Sequence, residues 1–260
     1  MSLERELIRK NIKKINIKNS RKLNLVGDLY TTDSDKLIIM SHGFTGDRHE
    51  WGRFDQIAEA FHKMDYNVLA FDFSGSGESD DDSLTVTKQI DDLKSVIKYA
   101  RDKGYQNIIL FGHSLGGLVS FSCYDENIKA IVTTAPVTDK GDSNWRTNKF
   151  TKEQLEEFKE TGQLVINKNS GPREYIVIDR QYLIEREEVN QKLLLRNIKC
   201  PVLIIHGDED DGVPLKDSEN AIKVLANKVE LYVIKGEGHS FLNSIDTVIN
   251  KTINWLSKKV

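Results

Sequence analysis

The segment 112–116, Gly-His-Ser-Leu-Gly, sets a serine between two glycines at a spacing that suits nucleophilic catalysis. It follows the apolar run 108–111 and precedes the helix-like run 118–121, which is the strand, turn and helix context that such a serine requires. Glycine lacks the Cβ atom that would clash in so tight a turn. Because a free hydroxyl is a poor nucleophile, it also needs a base within hydrogen-bonding reach. We therefore expect Ser114 to be a catalytic nucleophile.

The base is expected to be one of the six histidines of the chain. His239 lies in the segment 236–241, Gly-Glu-Gly-His-Ser-Phe, after the last predicted strand, where glycines allow an imidazole to project from a tight loop. His206 ends an apolar run and is expected to shape the turn that follows. His113 stands inside the elbow and must point away from the nucleophile. The predicted base is therefore His239.

An acidic residue must hold the imidazole in its working tautomer, and the candidates cluster in 208–211, Asp-Glu-Asp-Asp. The chain order serine, acid, histidine and the position after a strand favour this segment. Any single member of an acidic run is otherwise a solvated loop charge. Spacing alone does not choose between Asp208, Asp210 and Asp211.

Two backbone N–H groups are expected to stabilise an oxyanion, because main-chain donors need no side-chain reorganisation. The first is the N–H of Leu115, directly after the nucleophile. The second is the N–H of Phe44, in a His-Gly-Phe-Thr-Gly segment that follows the apolar run 37–40.

Short apolar runs alternate along the chain with stretches of helical periodicity. Strands are predicted over 37–40, 68–73, 108–111, 131–134, 202–205 and 229–234, and an antiparallel hairpin over 12–18 and 23–30. Helices are predicted over 54–64, 86–100, 115–124, 215–226 and 244–257. Runs that are apolar on both faces suit a parallel sheet covered on both sides, so an α/β domain is expected.

Residues 138–198 interrupt this alternation. They contain a polar helix candidate at 151–159 and two strand-like pieces at 163–167 and 174–178. A long insertion at a catalytic edge usually acts as a lid or forms a substrate pocket. We expect one α/β domain over 1–260 with a lid at 138–198.

The composition of the chain indicates which kinds of molecule it is expected to bind. The chain has 40 acidic and 37 basic residues, so overall charge does not favour nucleic acid, and a small organic substrate is expected. The first twenty residues contain no uninterrupted apolar stretch, which favours a cytoplasmic protein without a leader or membrane span. Cys123 and Cys200 lie in apolar segments and are expected to be buried, reduced thiols.

Five segments in this order resemble the α/β-hydrolase superfamily, and within it the bacterial cinnamoyl/feruloyl-esterase-like and monoacylglycerol-lipase-like carboxylesterases. The segments are 42–44, 71–79, 112–117, 206–210 and 238–241. The resemblance implies a mostly parallel eight-stranded sheet with helices on both faces, a lid after the sixth strand and no cofactor. It also implies that the acid is Asp210, the last residue of the His-Gly-Asp-Glu-Asp segment.

In the feruloyl-esterase-like members, aromatic lid residues enclose the phenolic group, which implies substrate-binding roles for Trp145, Tyr175 and Tyr182. Many of those members have glutamine after the nucleophile, whereas this chain has Leu115, as many lipases and general esterases do. The resulting hypothesis is a serine esterase for small to medium esters, aromatic ones included. The alternatives are an acylglycerol lipase, an acylaminoacyl-type peptidase and a non-catalytic ligand-binding protein on the same fold.

Overall fold

An eight-stranded sheet forms the centre of the computed structural model, which describes residues 12–141, 144–169 and 171–260. The strands of this sheet lie in the order β1-β2-β4-β3-β5-β6-β9-β10. Their bounds are β1 Ile12–Lys18, β2 Asn24–Tyr30, β3 Lys36–Ser41, β4 Asn67–Phe71, β5 Asn107–His113, β6 Ile128–Thr134, β9 Val202–Gly207 and β10 Val229–Ile234. The pairs β1–β2 and β2–β4 are antiparallel and all other neighbours are parallel, as the predicted mostly parallel sheet requires.

Alternate residues of the central strands feed two separate apolar layers. In β3, Leu37 and Ile39 pack into one layer, whereas Ile38 and Met40 pack into the other. Successive side chains of a strand point to opposite faces, so an uninterrupted apolar run is what a sheet covered on both sides needs. The predicted α/β class is confirmed.

The helices supply the outer layers. Their bounds are α1 Arg53–Lys63, α2 Val86–Asp102, α3 Leu115–Ser122, α4 Trp145–Lys149, α5 Lys152–Thr161, α6 Gln181–Glu187, α7 Gln191–Leu195, α8 Leu215–Leu225 and α9 Ile245–Lys259. Apolar residues of α1 and α9 join the layer around Ile38, and those of α2, α3 and α8 join the layer around Leu37. Helices therefore cover both faces of the sheet.

The carboxyl ends of the parallel strands meet at one edge of the sheet. β3 ends just before His42, β5 just before Ser114 and β9 just before the acidic segment 208–211. β10 ends at Ile234, and His239 lies in the loop that follows it. In open α/β sheets this edge is where ligands bind. The topology thus brings segments that are up to about two hundred positions apart in sequence to one place.

Residues 138–198 contain α4 to α7 and a separate two-stranded antiparallel sheet of β7 Gln163–Asn167 and β8 Tyr175–Asp179. Thr151 caps α5 through a reciprocal pair of hydrogen bonds with Gln154, which fixes the start of that helix. The buried apolar residues of 138–198 share a cluster with Leu115 and Leu118. The insertion therefore packs over the segment that carries the serine. Its short helices α4, α6 and α7 were not predicted.

Both cysteines are buried and unpaired, as predicted, and burial raises the pKa of each thiol to about 12. No helix within the described ranges combines the length and the apolarity that a membrane crossing needs. Residues 1–11, on which part of the expected absence of a leader rests, lie outside the described part of the chain.

Candidate active site

Ser114 occupies a strained turn between β5 and α3. Its backbone has φ 54° and ψ −117°, a conformation that a residue with a side chain rarely adopts. A Cβ atom on Gly112 would lie 2.4 Å from the carbonyl oxygen of Gly116, and one on Gly116 would lie 2.1 Å from that of Ser41. Only glycine fits at either position, so the turn is held against β3 with the hydroxyl at the sheet edge.

His239 lies between this serine and Asp210. Its Nε2 is 2.9 Å from Ser114 Oγ, and its Nδ1 is 2.8 Å from Asp210 Oδ2. A Cβ atom on Gly212 would come within 3.0–3.2 Å of three atoms of the imidazole, so this glycine leaves room for the ring. The three side chains form a continuous hydrogen-bonded chain.

The Asp210 carboxylate is fully enclosed, with a side-chain exposure of 0%. Its Oδ1 accepts hydrogen bonds from the N–H groups of Gly212 and Val213, both at 2.8 Å. Burial alone would raise the pKa of this carboxyl, but hydrogen bonds from His206 and His239 outweigh burial and hold the pKa well below its usual range. The surroundings of Asp210 therefore favour its anionic form.

The two other acids that the sequence left open lie elsewhere. Asp208 accepts the N–H of Gly236 at 2.6 Å, which ties the loop after β9 to the loop after β10. Asp211 is exposed and lines the neighbouring pocket. The structure thus brings Asp210, and neither of these, to the imidazole.

His206 supports the carboxylate from behind. Its Nε2 lies 3.0 Å from the carbonyl oxygen of Val213 and 3.1 Å from Asp210 Oδ2, and both of these atoms are acceptors. Nε2 must therefore carry a proton, and Nδ1 lies 2.7 Å from the Ser218 hydroxyl oxygen. The sequence predicted only a turn-shaping role, and the sole signal of this contact is that His206 precedes the acid by four residues.

His113 turns away from the serine, as expected for a residue inside the elbow. Its Nδ1 contacts the hydroxyl of Thr134 at 3.0 Å, and its ring centroid lies 5.0 Å from that of His239. Burial, and after it the neighbouring His239, lowers the pKa of His113 well below its ordinary value. A neutral ring at this position adds no positive charge beside His239.

The loop after β3 lies against the serine. A Cβ atom on Gly43 would be 3.3 Å from Ser114 Cβ. His42 Nε2 accepts the N–H of Phe73 at 3.2 Å, so its Nδ1 carries the proton and donates to the Gly43 carbonyl oxygen at 2.9 Å. Phe44 and Leu115 line the same pocket as Ser114. Both predicted oxyanion residues are therefore next to the serine.

A buried ion pair connects this loop to the histidine loop. Glu50, 2% exposed, accepts the N–H of Gly43 at 2.6 Å and pairs with Arg53 Nη2 at 2.8 Å. Arg53 in turn donates to the carbonyl oxygen of Ser240, the residue after His239. Sequence reasoning missed both residues, because two opposite charges three positions apart usually form a surface pair.

A cavity of about 350 Å³ opens beside Ser114 and His239, and the insertion forms one of its walls. Trp145 and Tyr182 both line it, and the Tyr182 ring stacks on Phe44 with 5.0 Å between centroids. The structure does not bring Tyr175 there. Tyr175 is 45% exposed, because in β8 the alternate residues Ile176 and Ile178 take the buried face.

The eight-stranded sheet, the strand, turn and helix around Ser114 and the ordered loops at one sheet edge define an α/β-hydrolase. Residues 32–183, more than half of the chain, match the family model described as serine aminopeptidase, S33, and the chain belongs to that family.

Two curated proteins are similar to this chain over most of its length. The chain is 30% identical over 202 residues to an Escherichia coli 31.7 kDa protein, which covers 72% of this chain and 68% of that protein. It is 30% identical over 196 residues to the human mitochondrial palmitoyl-protein thioesterase ABHD10, with coverage of 73% and 62%.

Two esterase structures superpose over almost the whole chain. Est1E of Butyrivibrio proteoclasticus, solved with ferulic acid bound, has a TM-score of 0.78 at 22% identity and covers 94% of this chain and 98% of its own. The Pyrococcus furiosus esterase Pf2001 has a TM-score of 0.74 at 23% identity, with coverage of 95% and 91%. Both comparisons agree with the α/β-hydrolase fold over almost the whole chain.

Proposed function

We propose that the protein hydrolyses carboxylic esters of small to medium size through an acyl-enzyme on Ser114. The observation that carries this proposal is the chain of hydrogen bonds from Asp210 to His239 and from His239 to Ser114, at 2.8 and 2.9 Å. A base within this distance can take the hydroxyl proton as the oxygen attacks. These three residues are called the proposed triad below.

In the first half-reaction, Ser114 Oγ attacks the ester carbonyl carbon while His239 Nε2 takes the hydroxyl proton. The carbonyl electron pair moves to oxygen, and the N–H groups of Phe44 and Leu115 are the proposed donors to this oxyanion. Collapse breaks the bond to the alcohol, which His239 protonates. Water, activated by the same imidazole, then cleaves the acyl-enzyme and releases the acid.

The walls of the cavity favour a planar group next to the scissile bond. Phe44, Trp145 and Tyr182 present aromatic rings to it, and such rings pack well against other flat groups. Aromatic acyl groups of the feruloyl or cinnamoyl type are therefore included in the proposed substrate class. The ferulic acid bound by Est1E supports this choice.

We also propose that 138–198 acts as a lid for soluble esters rather than for lipids. The outer side of α5 carries exposed charges, among them Lys152, Glu156 and Glu160, and its buried apolar residue Phe158 faces the protein. A lid that receives lipid aggregates would need an apolar outer surface. The charged helix therefore favours the esterase over the acylglycerol-lipase alternative.

The function is tested by covalent labelling with a fluorophosphonate probe, followed by mass spectrometry of the tryptic peptides. The expected result is one adduct, on Ser114, together with hydrolysis of p-nitrophenyl acetate that the label abolishes. A His239→Ala variant should label far more slowly, because the serine then lacks its base. An unlabelled protein would support the non-catalytic alternative, and faster cleavage of an aminoacyl p-nitroanilide would support the peptidase.

Removing the Glu50 carboxylate should weaken the proposed oxyanion site without touching the reacting atoms. Glu50→Ala releases the Gly43 N–H, so the Phe44 donor loses its fixed position beside Ser114. We expect kcat for p-nitrophenyl acetate to fall about tenfold to a hundredfold, with a smaller change in KM. Steady-state kinetics and thermal melting measured on the same samples separate this effect from loss of fold.

Two companion variants make the result specific. Glu50→Gln keeps a side-chain oxygen for the Gly43 N–H and should recover much of the lost kcat. Glu160→Ala removes an exposed glutamate and should behave as the wild type. If Glu50→Gln were as impaired as Glu50→Ala at equal melting temperature, positioning through Gly43 would be refuted.

A further inference from the structure

Two cationic side chains from the insertion line the cavity beside the proposed triad. Lys149 ends α4 and holds its ammonium 5.0 Å from the centroid of the Phe44 ring. Arg186 lies on α6, and its guanidinium carbon is 5.4 Å from the centroid of the Trp145 ring. The lid side of the pocket therefore combines aromatic faces with two positive charges.

Arg186 is 7% exposed, yet within the described ranges no carboxylate lies within salt-bridge distance of it or of Lys149. Its hydrogen bonds go to neutral groups, including the carbonyl oxygen of Asp139 at 3.1 Å. The buried Arg48 and Arg53 differ, since each is paired with at least one carboxylate. A buried charge without a counter-ion is costly, so Arg186, which has none among the described residues and shares the cavity with Lys149, is suited to receive an anion.

The charges around Lys149 and Arg186 make only one wall of the cavity attractive to an anion. Partial burial, and after it Arg186, lowers the pKa of Lys149, whereas Asp211 acts in the opposite direction. Asp211 and Asp217 line the side of the cavity formed by the loop after β9 and by α8. An anionic group would be repelled there and attracted to the lid wall.

We propose that Lys149 and Arg186 bind a carboxylate carried by the ester substrate. The inference rests on the proposed function and adds a substrate class to it, namely esters whose acid or alcohol part has a free carboxylate. The planar guanidinium of Arg186 offers paired donors that match the two carboxylate oxygens, and Lys149 adds a second positive charge. Phe44, Trp145 and Tyr182 line the same cavity and would contact the body of such a substrate.

The test uses two matched pairs of esters that differ only in a carboxylate or a carboxamide. On the alcohol side the pair is 4-acetoxybenzoate and 4-acetoxybenzamide, and on the acyl side it is the p-nitrophenyl monoesters of terephthalate and terephthalamate. In at least one pair, kcat/KM of the wild type should favour the carboxylate about tenfold or more. The advantage should shrink as sodium chloride is raised.

Lys149→Gln should lower kcat/KM for the carboxylate about tenfold and leave the carboxamide unchanged, whereas Arg186→Gln should do the same to a greater degree. Lys152→Gln, which removes an exposed lysine of the lid helix α5, should keep the wild-type ratio. The pair that responds identifies the side of the ester that carries the charge. Because Lys149 is at an exposed helix end, its variant is expected to fold even if the Arg186 variant does not.

Equal kcat/KM for both members of each pair, unchanged in Lys149→Gln, would overturn the inference while leaving the esterase function intact. A preference for the carboxamides would overturn it as well. Failure to hydrolyse any of the four esters and p-nitrophenyl acetate would refute the proposed function and this inference with it.

Discussion

Ser114→Ala is expected to lower kcat for p-nitrophenyl acetate by about 10⁵-fold or more, because the atom that forms the acyl-enzyme is removed. KM should change little, since the cavity keeps its lining residues. Alanine tolerates the φ of 54° at this position as poorly as serine does, so a large gain in stability is not expected. Stopped-flow and steady-state assays at matched protein concentration measure the loss.

Ser257→Ala serves as the matched control. This serine is exposed near the end of α9 and is not one of the residues that line the cavity beside Ser114. It should retain the kinetic constants of the wild type. Residual activity of Ser114→Ala within tenfold of the wild type would show that another group performs the attack, and the acyl-enzyme mechanism would have to be abandoned.

Asp210→Asn should reduce kcat by about 10⁴-fold, the second largest effect expected. The asparagine amide can donate to His239 Nδ1, which favours the tautomer whose Nε2 carries a proton and cannot act as a base. Asp208→Asn is the matched control: it keeps the side-chain oxygen that accepts the Gly236 N–H and should stay within a few-fold of the wild type. Both variants are assayed for kcat at neutral pH.

Asp210→Asn should also change how the free energy of unfolding depends on pH. The folded-state pKa of Asp210 is lowered, so its anion stabilises the fold above the ordinary carboxyl pKa of about 3.9, and this contribution is lost as pH falls through the folded-state value. Urea unfolding should therefore show a gap between wild type and Asp210→Asn that narrows below about pH 4. A gap that widened on acidification would contradict the assigned direction of the shift.

The main elements and the serine elbow follow from local patterns. Two examples are the apolar run 37–40 and the glycines around Ser114. Both reflect burial and short-range sterics, which can be read directly from the sequence. The histidine follows from chain order and from the glycines that precede it. These features were predicted with the bounds of their elements off by a few residues.

The finer choices depend on how loops fold, which spacing does not encode. Whether Asp208, Asp210 or Asp211 meets the imidazole is decided by the turn that lets Gly212 and Val213 donate to one carboxylate. Tyr175 and Tyr182 are the same residue type in the same segment of the sequence. The alternation of side chains along β8, however, turns Tyr175 outward. Glu50 contacts Gly43 only because α1 begins beside the loop after β3, a tertiary arrangement with no sequence pattern of its own.

Among the described residues, the hydrogen bonds that orient the proposed triad come from outside the insertion 138–198. Ser114 N–H donates to the Thr134 carbonyl oxygen, and Asp210 is held by His206, Gly212 and Val213. Residues 138–198 supply cavity wall instead. Under the proposed mechanism, a substitution within 138–198 would reshape one wall of the cavity, which it shares with Phe44 and Val213, and leave the groups that break the ester bond in place.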